Sequence, residues 1–128
     1  MPKNISKIIT VEEIISIHDM MIERYGGEKG ILNMGELEFI VDWVNSHPEK
    51  PLFWKVAVLM RGIISAHPFV DGNKRTGFEV ADIILTANGY AITASDEEIM
   101  EFVIKLAMEV VKLDEIIDWL KSNTKKIK

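Results

Sequence analysis

Nine consecutive residues, His67-Pro68-Phe69-Val70-Asp71-Gly72-Asn73-Lys74-Arg75, concentrate the reactive chemistry of this chain. An imidazole with a pKa of about 6.5 accepts a hydroxyl proton at neutral pH, so His67 is a candidate general base. Asp71 offers hard oxygens to magnesium, which usually takes one or two carboxylates together with substrate phosphates. A Gly72-Asn73 turn opening a helix leaves backbone N–H groups unpaired at the positive end of the dipole, an anion hole suited to phosphate. Lys74 adds a point charge, and Arg75 a planar fork that grips phosphate through two parallel hydrogen bonds. Each piece alone has a plainer reading: a cap or surface His, a common turn, a solvated Lys-Arg face. Together they argue for polyphosphate chemistry beside a base.

The elements that must position this loop are helical. Thr10 and Glu13 form a capping-box signature, and Ile14, Ile15, Ile17, His18, Met21 and Ile22 follow at helical spacing until Gly26-Gly27. Leu37, Ile40, Val41 and Val44 form a second stripe that ends near Ser46-His47-Pro48. Pro48 and Pro51 bracket a non-helical segment. A third helix from Leu52 or Phe53 to about Ser65 is apolar on nearly every face, the composition of a helix surrounded by others. The fourth pattern runs from the reactive loop to Asn88-Gly89. Ser95 and Glu98 suggest another capping box, for a helix through Val111, and Asp114 opens a last helix through Leu120. The expected fold is all-α, with about six helices. Residues 90–93 and the segment around Pro48 to Pro51 are the only plausible strand pieces, and the sequence identifies no partner for either.

At 128 residues the chain is one domain, 48% hydrophobic and 27% charged, which excludes a disordered or fibrous protein. Without cysteine, disulfide scaffolds, thiolate metal sites and thiol catalysis are excluded together. No apolar run approaches the roughly 18 residues of a membrane span, and the first residues lack the apolar region of a secretory signal. A cytoplasmic protein without membrane partners is expected. Of the net charge of −5, four lysines (Lys121, Lys125, Lys126 and Lys128) belong to the tail, so residues 1–120 carry −9. That body repels nucleic acid, and the basic tail is expected to be a solvated, frayed helix end. His18 is expected to be a hydrogen-bonded packing residue, and Trp43, Trp54 and Trp119 to be core or rim rather than a stacking platform.

The loop resembles the signature of the Fic/Doc superfamily, and of its Doc (death-on-curing) branch in particular. His67, Pro68, Phe69, Asp71, Gly72, Asn73 and Arg75 match the commonest Fic pattern, H-P-F-x-D/E-G-N-G-R-x-x-R. Lys74 replaces the glycine before the first arginine, and Phe78 replaces the second arginine. The Doc branch typically reads Asn-Lys-Arg-Thr, as Asn73-Lys74-Arg75-Thr76 do. The likeness continues through His18-Asp19, residues 23–27 and Gly30-Ile31 upstream, and through Asn88-Gly89-Tyr90 downstream. Leu32-Asn33 stands where Doc relatives often carry Arg-Asp.

The resemblance implies a single helical bundle whose two central helices flank the motif, with a flap that docks the target as an added strand. His47, Pro48, Glu49, Lys50, Pro51, Leu52 and Phe53 are where that flap is expected. It further implies ATP and magnesium, a protein hydroxyl as acceptor, a translation elongation factor as target, and a separate antitoxin as partner. Fic proteins typically transfer AMP, whereas Doc-type members resemble kinases. Lys74 fills the space that the Fic glycine leaves for the phosphates and Phe78 cannot hold a phosphate, so transfer of the γ-phosphoryl group to Ser or Thr is expected. AMP transfer and a non-catalytic binding module are the alternatives. Residues 93–97 have the spacing of the inhibitory Ser/Thr-x-x-x-Glu-Gly/Asn helix, but Glu98 follows where Gly or Asn belongs, so no built-in inhibitor is expected.

Overall fold

The computed structural model describes residues 8–127. The elements follow in the order α1 (Val11–Tyr25), α2 (Met34–Asn45), α3 (Leu52–Ala66), α4 (Asn73–Ala87), β1 (Tyr90–Ile92), α5 (Asp96–Ala107), α6 (Leu113–Ser122) and β2 (Thr124–Lys126). The fold is all-α apart from one two-stranded sheet. Among the described residues no helix is long and apolar enough to cross a membrane.

Local sequence sets the helix starts. The Thr10 hydroxyl accepts the Glu13 N–H at 3.1 Å while the Glu13 carboxylate accepts the Thr10 N–H at 2.8 Å, and Ser95 and Glu98 repeat the exchange at 3.2 and 2.8 Å. Asn33 caps α2, its Oδ1 accepting from the Glu36 N–H at 3.0 Å.

Helix α3 is the centre of the bundle, packed against α2, α4, α5 and α6. Val56, Ala57, Leu59, Met60, Ile63 and Ile64 are fully buried, facing Val80, Ala81 and Leu85 of α4, with Leu106, Ile116 and Leu120 completing the core. Each such Leu, Ile or Val contributes about 1.5–3 kcal/mol by leaving water. Two glycines set how closely the helices approach. A Cβ on Gly62 meets Ile40 of α2 at 2.8 Å, and one on Gly77 of α4 meets Ile64 at 2.5 Å and the Met60 carbonyl oxygen at 3.3 Å. The α3–α4 crossing therefore has no room for a methyl group, and this crossing holds the two ends of the reactive loop together.

Two features differ from expectation. The basic tail is not a frayed helix end: residues 124–126 pair antiparallel with β1, Tyr90 opposite Lys126 and Ile92 opposite Thr124, and the Ile127 N–H closes the ribbon on the Gly89 carbonyl at 2.8 Å. Lys126 Nζ lies 5.9 Å from the Tyr90 ring centroid. Lys128 lies outside the described residues. Helix α5 stops at Ala107 rather than Val111, because Glu109 turns left-handed (φ 59°) and the Glu109 and Val110 N–H groups bond back to the Leu106 and Lys105 carbonyls. That is the Schellman closure, built without glycine.

Gly77→Ala is expected to destabilise the chain by about 1–3 kcal/mol through overpacking against a fully buried isoleucine and a backbone carbonyl. Urea unfolding checks this, and an unchanged midpoint would show that the α3–α4 crossing has slack.

Candidate active site

His67 ends α3 in the left-handed region (φ 52°, ψ 58°) with an exposed side chain. Five residues later Gly72, also left-handed (φ 76°), opens α4. Between them the chain leaves regular structure inside a packed corner, and its backbone groups need partners.

The Asn73 side chain supplies them. Its Oδ1 accepts the Phe69 N–H at 3.0 Å and its Nδ2 donates to the Phe69 carbonyl at 2.9 Å, both buried. Phe69, 1% exposed, stacks on the His18 ring of α1 with centroids 3.8 Å apart and planes 5° from parallel. His18 Nε2 in turn donates to the Asp71 carbonyl at 2.7 Å. His18 is therefore a buried, hydrogen-bonded packing residue, and its partner is the reactive loop itself.

The Asp71 carboxylate is exposed, and each of its oxygens accepts one backbone N–H: Oδ1 from Gly72 at 2.8 Å and Oδ2 from Glu28 at 3.2 Å. A Cβ on Gly27 meets Asp71 Oδ2 at 2.7 Å, so only glycine fits there at φ 118°. The segment after it runs beside the loop. The Val70 N–H donates to the Gly30 carbonyl at 3.0 Å, and the Leu32 and Asn33 N–H groups share the Pro68 carbonyl at 2.7 and 2.9 Å. Ile31 and Phe69 form an antiparallel bridge.

The first turn of α4 presents the cationic side of the site. The N–H groups of Asn73, Lys74 and Arg75 precede the first intrahelical bond, from the Thr76 N–H to the Gly72 carbonyl at 3.0 Å. Lys74 and Arg75 are exposed, and the Arg75 guanidinium lies 4.5 Å from the centroid of the Tyr25 ring. Phe78 is half-buried and packs against the core.

The structure thus brings His67, Asp71, Gly72, Asn73, Lys74 and Arg75 to one corner. The Asn73 carboxamide is consumed by Phe69, so any contribution of this residue to an anion hole comes from its backbone N–H. Phe69 is the buried pivot of the loop. Residues 47–53 lie elsewhere: residues 47–51 form a turn, with the Lys50 N–H bonded to the His47 carbonyl at 3.1 Å, and Leu52 and Phe53 begin α3. His47 packs between Trp43 and Trp54, with centroids at 5.0 and 5.8 Å. The segment paired with the reactive loop is residues 30–33. The Glu28 N–H and the Pro68 contacts are absent from the reading of the sequence, where Gly27 and Gly30 are the only visible signals of a close backbone approach.

One and two turns beyond Arg75, Glu79 and Asp82 are half-buried carboxyls with raised pKa values. Burial is the main cause for both; at Glu79 the neighbouring Asp82 charge adds to it and Arg24 of α1 opposes it.

The family model described as Fic/DOC family matches residues 8–85. The chain is also 30% identical over 117 residues to "Protein kinase doc" of Escherichia phage P1, an alignment covering 88% of this chain and 92% of that relative.

Asn73→Ala strands two buried backbone groups at about 1–3 kcal/mol each, so a loss of about 2–4 kcal/mol is expected in urea unfolding. A loss below about 1 kcal/mol would mean that the loop finds other partners. Glu79→Gln tests the raised carboxyl. Because the folded form of Glu79 binds its proton more tightly than the unfolded form, wild-type stability falls as pH rises above the ordinary carboxylate range. The variant is expected to be more stable than wild type at pH 7 and equal to it near pH 3, where both folded and unfolded wild type are protonated. Parallel stability curves for the two proteins would contradict the assignment.

Proposed function

The chain belongs to the Fic/DOC family, and from that premise we propose that it is a Doc-type toxin that transfers the γ-phosphoryl group of ATP to a Ser or Thr hydroxyl of a protein. The observation that carries this reading is the corner itself: the exposed His67, which caps α3, stands five residues before Gly72 and the free N–H groups and cations that open α4. His67 takes the proton of the acceptor hydroxyl as its oxygen attacks the γ-phosphorus. The bond from that phosphorus to the β–γ bridging oxygen breaks, and ADP leaves with the electron pair. Of the two expected anion-hole donors, the Gly72 N–H is taken by Asp71 Oδ1 at 2.8 Å, so the hole falls to the Asn73 N–H and its successors in the first turn of α4, while Lys74 and Arg75 offset the charge of the phosphates.

Asp71 fits a magnesium ion of the kind that accompanies a nucleotide. Its two oxygens each accept one backbone N–H and keep further acceptor capacity. Among the described residues no group of three His, Cys, Asp or Glu side chains stands ready to enclose a metal, so the remaining ligands belong to phosphate and water. Bound there, the ion supplies charge neutralisation to the phosphates.

Lys74 and Phe78 support γ-transfer over AMP transfer: the one puts an exposed amine where the Fic pattern has glycine, and the other turns into the core. The reading includes a translation elongation factor as substrate and a separate antitoxin as the partner that restrains the toxin.

ATP labelled at either the α- or the γ-phosphate, incubated with cell lysate and the purified chain, tests the reading. Label is expected from γ alone and is expected to fall by at least about a hundredfold in His67→Ala, the range of a lost general base. Label from α would mean AMP transfer. No His67-dependent label from either position, with the elongation factor present, would leave a binding module.

A further inference from the structure

The end of α1 touches both halves of the reactive corner. Tyr25 is the last residue of that helix, and Gly26 and Gly27 follow it with φ of 87° and 118°. Gly27 lies against the Asp71 carboxylate, where a Cβ would come within 2.7 Å of Oδ2, and the Glu28 N–H donates to that same oxygen. Tyr25 meets the other half. It is 54% exposed, and the Arg75 guanidinium lies over its ring, 4.5 Å from the centroid. Residues 25–28 thus contact both the carboxylate read as a magnesium ligand and the cation read as a phosphate partner.

The kind of partner that holds Arg75 decides what the guanidinium has left to offer. Among the described residues it has no carboxylate within 4.0 Å. A carboxylate would take N–H donors from its fork and offset its charge, leaving less of both for a phosphate. An aromatic face attracts the cation through the ring quadrupole and takes neither. A long exposed side chain otherwise spreads over many rotamers, and ordering it weakens whatever binding requires it.

We propose that Tyr25 is a positioning residue whose ring holds the Arg75 guanidinium beside the first turn of α4, with its charge and its N–H donors free for the polyphosphate of a nucleotide. The inference rests on the reading of the corner as a polyphosphate site and adds the residue that orders its arginine. Tyr25 acts through Arg75 and touches no reacting atom. The ring carries the role and the hydroxyl does not.

A double-mutant cycle on the full chain tests this by calorimetric titration with magnesium ATP. Tyr25→Leu is expected to weaken binding about two- to fivefold, the worth of an exposed cation–π contact. Tyr25→Phe, which keeps the ring, is expected to bind as wild type does. In an Arg75→Gln background Tyr25→Leu is expected to change nothing, because the group it positions is gone. An equal loss in both backgrounds would assign Tyr25 a merely structural role and overturn the proposal. So would full affinity in Tyr25→Leu or in Arg75→Gln, or a chain that does not bind magnesium ATP.

Thermal unfolding monitors the variants. If Tyr25→Leu folds poorly, or Arg75→Gln binds too weakly to titrate, ring-fluorinated forms of Tyr25→Phe carry the test, since fluorine withdraws electron density from the ring face at nearly constant shape. Affinity is expected to fall with each added fluorine, and a flat series would overturn the proposal. Coupling between Tyr25 and Arg75 in a chain that transfers no label would keep the positioning role and remove the kinase. His67-dependent label from γ without that coupling would keep the kinase and remove the role of Tyr25.

Discussion

The carboxamide of Asn73 exchanges two hydrogen bonds with the backbone of Phe69, and the geometry of the reactive corner follows from that exchange. Six residues cross from α3 to α4 there without a neighbouring strand to pair them fully. An unpaired N–H or C=O in such a place costs about 1–3 kcal/mol, so a wandering loop is not an available alternative. Because Asn73 is also the first residue of α4, its side chain ties the loop directly to a rigid helix. Fixing Phe69 fixes its ring on His18, and His18 then holds the Asp71 carbonyl. One amide thus connects α4, the loop and α1.

Asp71 extends the same network outward. Its carbonyl is held by α1 and its carboxylate by the N–H groups of Gly72 and Glu28. The connection between α1 and α2 is therefore part of the site, although it lies more than forty residues away in sequence. A carboxylate held this way loses little rotamer freedom when it meets a cation, which is the benefit of ordering the ligand before the ligand's partner arrives. Gly27 makes the arrangement possible, since any side chain there occupies the space of the carboxylate oxygen.

What the sequence makes legible is local. The capping boxes at Thr10 and Ser95 need only three-residue spacing, the apolar stripes need only helical periodicity, and the reactive residues are contiguous. What it hides depends on distant partners. Thr124-Lys125-Lys126 has no strand signature, and its pairing with β1 is a tertiary fact 32 residues away at its closest register pair, Ile92 with Thr124. The end of α5 is hidden for another reason: Glu109 occupies the left-handed position where the usual signal is glycine. Asn73 shows the limit most clearly. Read locally it is a turn residue and an anion-hole donor, whereas its side chain is a buried clamp.

Glu109 and His67 are the two left-handed non-glycine residues among those described, and different contacts hold them there. Such a conformation costs on the order of 1–3 kcal/mol and persists only where other contacts impose it. At Glu109 the helix imposes it, through the returning N–H groups of Glu109 and Val110. At His67 that closure is not possible in the same form, because the following residue is Pro68 and carries no N–H. The turn is held instead by what lies beyond it: the Pro68 carbonyl taken by the Leu32 and Asn33 N–H groups, and Phe69 locked by Asn73 and His18. Glycine at position 67 would relieve the strain and delete the imidazole. The strain at position 67 is therefore sustained by the α1–α2 connection and by α4, on the far side of the loop, and not by the helix that His67 caps.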